Sequence, residues 1–224
     1  MTRVQSIVGA APVGVDYTDE PDLLSAIAKP GTSAVIWRRQ MPGSVRSWLK
    51  GLTSAHLPSG QLVLRPNAVA AAVAQLCDIC GMPKGRERDW LETDIASLAD
   101  VFGHVMSTEY VRLRLDVVRT NACRKFHMDA VTARLVCTYR GTGTQYGNSN
   151  DRSDPERIFT VQTGAPVLLR GTLWPSRSRA GLLHRSPPIE GTGETRLVLV
   201  MDPMSEPFEE TERPPLARTA PRVH

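Results

Sequence analysis

The spacing of apolar residues changes character near the middle of the chain. In the first half it is helical. Leu23, Leu24 and Ile27 follow Pro21-Asp22 and predict a short helix that Pro30-Gly31 stops. Val45, Trp48, Leu49 and Leu52 predict a second helix over 42–52. A third opens at Pro66-Asn67, runs through the alanine-rich stretch to Ile79 and ends at Gly81 and Pro83. Trp90, Ile95, Leu98, Phe102 and Val105 mark a fourth. Within this half, Ala34–Trp37 reads as one brief strand. From Val111 the period becomes two: Val111, Leu113, Leu115 and Val117 alternate with Arg112, Arg114 and Asp116, a strand with one wet face. Further strands are expected at Ala133–Tyr139, Ile158–Val161, Pro166–Leu169 and Thr195–Met201. The turns between them are expected at 141–143, 147–150, 163–164 and 191–193, all rich in Gly, Thr, Ser or Asn.

These patterns predict an α+β fold. A mainly helical N-terminal portion, residues 1–108, packs on a β-barrel of the jelly-roll or cupin-like kind over 109–203, and a proline-rich extended or disordered tail occupies 204–224. The 224 residues, 41% hydrophobic and 22% charged, suffice for a sizeable core without disulfides. No apolar run approaches the ~20 residues of a membrane span. The net charge of +4 points to no nucleic acid: basic pairs such as Arg38-Arg39 are scattered, acids alternate with them, and aromatics are only 5%. Val4 to Val15 is broken by Gly9, Pro12 and Gly14, a poor secretion signal, and four cysteines make no disulfide framework. A cytoplasmic, thiol-reducing location is expected.

Two of the five histidines keep unusual company. His127 precedes a predicted strand, and Asp129, two residues on, shares its face in extended chain. His184 lies 57 residues later, before the last predicted strand. A barrel that joins these positions sets two imidazoles and one carboxylate on a single rim, the composition of a facial triad for Fe(II) that leaves positions open for substrates. Arg196, twelve residues beyond His184, would point inward with Val198 and Val200, and a guanidinium so placed suits a carboxylate. Read singly, His127 with Asp129 is equally a hydrogen-bonded surface pair, and Arg196 a salt-bridge partner of Glu194.

His-x-Asp, a distant His and an Arg about a dozen residues further resemble the iron- and 2-oxoglutarate-dependent oxygenases. The resemblance covers roughly Val111 to Asp202. It implies a double-stranded β-helix, Fe(II) held by His127, Asp129 and His184, and 2-oxoglutarate received by Arg196. Tyr139 or Thr138 would reach that co-substrate, and of the two Tyr139 is taken here. At the level of sequence, the strings over 123–129, 134–141 and 184–189 resemble the bacterial family catalogued as domain of unknown function 1826. That likeness implies membership without an activity. Members tend to be found with zinc-homeostasis genes.

The expected function is therefore an oxygenase acting on a small-molecule or protein substrate that no motif specifies. The oligomeric state is likewise unspecified. Other readings stay open. A zinc-binding accessory protein would use Cys123, His127 and His184; Cys77 and Cys80, spaced Cys-x-x-Cys, could join Cys123 and His127 in a tetrahedral zinc site, although both read more simply as core. A cupin-like metalloenzyme would need no 2-oxoglutarate, and a non-catalytic barrel would hold no metal. No phosphate-binding glycine loop or nucleophile elbow is present.

Overall fold

The computed structural model describes residues 12–149, 151, 153–176 and 181–206; the tail expected beyond 206 lies outside these residues. Thirteen elements matter to the site. In chain order they are β1 (Val15–Thr18), β2 (Ala34–Trp37), α1 (Gly43–Gly51), β3 (Gly60–Leu64), α2 (Val69–Ile79), α3 (Arg86–Met106), β4 (Tyr110–Val118), β5 (Ala133–Arg140), β6 (Gln145–Asn148), β7 (Phe159–Thr160), β8 (Pro166–Arg170), β9 (Leu182–Arg185) and β10 (Arg196–Met204). The predicted first helix is a 3-10 helix, Pro21–Ala28.

A seven-stranded sheet in the order β1-β2-β8-β5-β10-β4-β3 is antiparallel except for the β1–β2 pair, and a second sheet runs β7-β6-β9. The period of two sorts the large sheet into two faces. Leu113, Leu115, Leu135, Cys137, Tyr139, Leu197, Leu199 and Met201 are buried together with Val45, Leu49, Val73, Leu91, Ile95 and Phe102 of the helices. The alternate residues Val136, Val167, Leu169, Val198 and Val200 are buried with Tyr146 and Leu182 of the small sheet. The large sheet is thus the middle layer of three, and the site lies between the two sheets.

Two expectations need correction here. The first 108 residues do not form a helical layer of their own, because β1, β2 and β3 extend the large sheet, with β2 on β8 and β3 on β4. Gly60–Leu64 carries too short an apolar run for its period to declare itself, and pairing with β4 makes it a strand. The turn expected at 147–150 also begins too early: Gly147 and Asn148 are strand residues of β6, paired with Leu183 and Leu182. Gly147 belongs there because a β-carbon would come within 2.4 Å of the Arg157 carbonyl oxygen. Among the described residues no helix is long and apolar enough to cross a membrane.

Helices and sheet are joined by a polar network at Asp94 on α3. Arg39 grips both Asp94 oxygens, and the Tyr139 hydroxyl donates to Oδ2 at 2.6 Å. Arg39 also donates to the Gly164 carbonyl and lies over the Trp37 ring. Asp94→Ala would leave a largely buried guanidinium and a buried phenol without their acceptor, at a cost of about 3–5 kcal/mol. A lower midpoint in urea denaturation, with unchanged metal binding by the folded protein, is the expected result.

Candidate metal centre

His127 and His184 meet through the backbone. They form an isolated antiparallel bridge in which each amide N–H donates to the other's carbonyl at 3.0 Å. Residues paired in this way project side chains to the same face, and the two rings lie 4.7 Å apart between centroids. His184 precedes the last strand, β10, as expected, but sits within a strand of its own, β9, where its other neighbour is Tyr146 of β6. The bridge therefore adds the 127 segment to the edge of the small sheet. Further bonds secure the approach: Ser186 N–H donates to the Cys123 carbonyl, while the Asn121 side chain accepts from the Ile189 and Glu190 amides.

Asp129 turns its carboxylate between the two rings. Its Oδ2 is 2.9 Å from His184 Nε2, and its Oδ1 is 3.4 Å from His127 Nε2. Burial opposes the charged carboxylate, but the two imidazoles and the Arg134 guanidinium outweigh it and hold Asp129 well below the usual carboxylate range. The Asp129 carboxylate raises the His127 pKa despite partial burial. The backbone of Asp129 is fixed by Thr172 N–H, which donates to its carbonyl. Gly171 allows this approach, since a β-carbon there would sit 1.9 Å from the Val131 carbonyl oxygen and 2.8 Å from that of Asp129.

The three side chains offer donor atoms within 4.8 Å of one another, a set able to hold a metal ion. Two observations fit such an ion. His127 Nδ1 lies 2.8 Å from the Lys125 carbonyl, which places the ring proton on Nδ1 and leaves the Nε2 lone pair toward Asp129. Asp129 Oδ2 is buried and accepts no well-formed hydrogen bond, a demand that a cation would meet.

The same cavity, of about 90 Å³, is lined on its other side by Arg196, with Val136, Val198, Val200 and Ser186. Arg196 is 1% exposed. Its partners are neutral: the Thr142 carbonyl at 2.7 Å, Ser186 Oγ at 3.2 Å and Thr138 Oγ1 at 3.4 Å. Glu194 instead binds the Thr142 amide and hydroxyl. Burial without a bonded acid pushes the Arg196 pKa down to about 10, although Glu194 nearby raises it. A cation in such surroundings is costly until an anion joins it.

The fold brings together His127, Asp129, His184 and Arg196. It does not bring Tyr139, whose side chain lies on the opposite face, 0% exposed, bonded to Asp94 and edge-on to Trp90. The pleat puts Thr138 on the cavity side instead, which corrects the choice between them. Cys77 is buried in the helical core, where burial pushes its thiol up to about 12, and Cys80 donates to the Cys77 carbonyl. Neither belongs to the metal-capable group found among the described residues; nor does Cys123, although it lines the cavity. Arg134, Asp202, Ser186 and Gly171 were not foreseen as site residues. For Arg134 and Asp202 the signal was present: charged residues at inward positions of strands otherwise filled by Val136, Val198 and Val200.

A protein-family profile described as "Protein of unknown function (DUF1826)" matches residues 18–202. No curated protein matches the sequence. Among solved structures, the dioxygenase for auxin oxidation 1 from Arabidopsis thaliana, a complex with 2-oxoglutarate, is 11% identical with a TM-score of 0.49, covering 87% of this chain and 93% of that one. The rice dioxygenase for auxin oxidation is 12% identical (TM-score 0.45; 82% and 76% covered). A Pseudomonas putida prolyl-4-hydroxylase is 13% identical (TM-score 0.42; 84% and 95% covered).

His127→Ala and Asp129→Ala are each expected to abolish metal binding, measured as metal per chain by elemental analysis; wild-type content in both would rule out the triad. Gly171→Ala is expected to lower stability by about 1–3 kcal/mol through overpacking. It should also weaken metal uptake, because the Asp129 backbone must move. Unchanged uptake at full occupancy would show that Gly171 serves the fold alone.

Proposed function

The chain belongs to the DUF1826 family, and from the cavity that His127, Asp129, His184 and Arg196 share we propose that it is an Fe(II)- and 2-oxoglutarate-dependent oxygenase. That shared cavity is the observation that carries the reading: a metal-capable triad facing a buried guanidinium with no acid bonded to it. Strand order agrees with a double-stranded β-helix. One sheet contains β4, β10, β5 and β8 in sequence, and the other runs from the 127 segment through β9, β6 and β7.

In this reading two neutral imidazoles and one carboxylate hold the ion on one side and leave the remaining positions for co-substrate and oxygen. Bound there, Fe(II) would supply the redox centre at which dioxygen oxidises 2-oxoglutarate to succinate and carbon dioxide while the second oxygen atom passes to a substrate C–H bond. Arg196 takes the distal carboxylate of 2-oxoglutarate, helped by the Thr138 and Ser186 hydroxyls. Val136, Val198 and Val200 keep water from that end of the cavity. The Lys125 carbonyl keeps His127 in the tautomer that a metal needs. The primary substrate is a small molecule or a protein side chain that reaches the rim at His127. Four free thiols suit a reducing compartment, and we place the protein in the cytoplasm.

One observation favours a second reading. Cys123 lines the same cavity as the triad, so a zinc-binding accessory protein using Cys123, His127 and His184 is the competing function. Cys123→Ser would then lose zinc, whereas the oxygenase would keep its iron.

The deciding experiment adds Fe(II) and then 2-oxoglutarate to apoprotein without oxygen. The expected result is the weak visible charge-transfer band of a chelated complex, absent in His184→Ala. In Arg196→Ala the co-substrate should bind about 10- to 100-fold more weakly, the loss of charge-assisted hydrogen bonds. Absence of the band, with zinc tightly bound instead, would overturn the oxygenase in favour of the accessory protein.

A further inference from the structure

Arg134 lies on β5 with its side chain on the cavity face, two residues before Val136. Its Nε and Nη2 hold the two oxygens of Asp202 at 2.7 and 2.8 Å. Asp202 is 5% exposed, on the cavity face of β10. The register that pairs Met201 with Leu135, carried one step further, sets Asp202 beside Arg134 on the same face. The guanidinium is planar, so two bonds to one carboxylate leave it little freedom to swing. The third nitrogen, Nη1, donates to Asp129 Oδ1.

The two oxygens of Asp129 thus differ in their surroundings. Oδ1 is occupied by a cationic donor, and Oδ2 is buried without a well-formed hydrogen bond. We infer that Arg134, locked by Asp202, is a positioning residue that makes Asp129 a one-oxygen ligand through Oδ2. A carboxylate with both oxygens free can chelate an ion and fill a further coordination position; one with Oδ1 engaged leaves that position open. The pair also balances charge, since Asp202 neutralises the guanidinium that would otherwise face the ion as a bare cation. This inference rests on the metal reading of the triad.

The test titrates Co(II) into apoprotein and follows visible absorption, which reports coordination number, for wild type, Asp202→Asn and Arg134→Lys. Asp202→Asn keeps shape but releases the lock and leaves the cation unbalanced. Arg134→Lys keeps the charge but cannot hold both carboxylates. Each is expected to weaken Co(II) binding about 10- to 100-fold, the usual effect of removing a partner of a ligand, and to change the absorption intensity. Far-UV circular dichroism checks folding, and the near-isosteric Asp202→Asn keeps the test decisive if Arg134→Lys does not fold. Folded variants with wild-type affinity and an unchanged spectrum would overturn the inference, even with a lowered thermal midpoint, because a simple brace does that much. Wild-type protein that takes up no Co(II) would instead overturn the metal reading, and this inference with it.

Discussion

The large sheet is covered on both faces, and the rest of the molecule follows from that constraint. In β5 and β10, consecutive residues face different layers. One set packs on the helices and is apolar throughout, as with Leu135, Cys137, Leu197, Leu199 and Met201. The other set faces the small sheet and mixes Val136, Val198 and Val200 with Arg134, Thr138, Arg196 and Asp202. A strand wet on one side could carry such charges at no expense. Here they are enclosed, so each needs a partner, and the interior face becomes a system of paired and unpaired charges.

Two of those charges, Arg134 and Asp202, are resolved within the fold. Asp202 takes one edge of Arg134, and Asp129 takes its remaining nitrogen. Asp94 resolves Arg39 on the far side of the sheet, where it also serves Tyr139. Arg196 is the exception, hydrogen-bonded to neutral oxygens alone. The contrast separates structural polar groups, which find their complements inside the chain, from groups whose complement must come from outside. Asp129 Oδ2 falls in the second class for the opposite charge.

Much of this was legible from one-dimensional patterns. Period two marked β4, runs punctuated by turn residues marked β5 and β10, and His-x-Asp put two donors on one face because extended chain does so wherever it occurs. The inward direction of Arg196 followed from its phase with Val198 and Val200. What escaped were features whose cause is long-range. The face of Tyr139 depends on pleat phase, which a strand 133–139 leaves open until pairing sets it. Gly60–Leu64 is a strand because β4 lies beside it. Arg134 and Asp202 are 68 positions apart in the chain and neighbours only across a sheet.

The sequence by itself determined the helical stretches, the strands β2, β4, β5, β7, β8 and β10, the absence of a membrane-length apolar run and the four residues on which the functional reading stands. These are properties of local periodicity and residue chemistry, and they are fixed before any contact forms. Tertiary structure alone decided that His127 and His184 exchange backbone hydrogen bonds and that Thr138 and not Tyr139 faces Arg196. It also decided that Arg134 engages one oxygen of Asp129 and leaves the other, beside His184, without a well-formed hydrogen bond. Each of these depends on register between segments distant in the chain, and register is set by the joint burial of both faces of a sheet, which no single segment encodes.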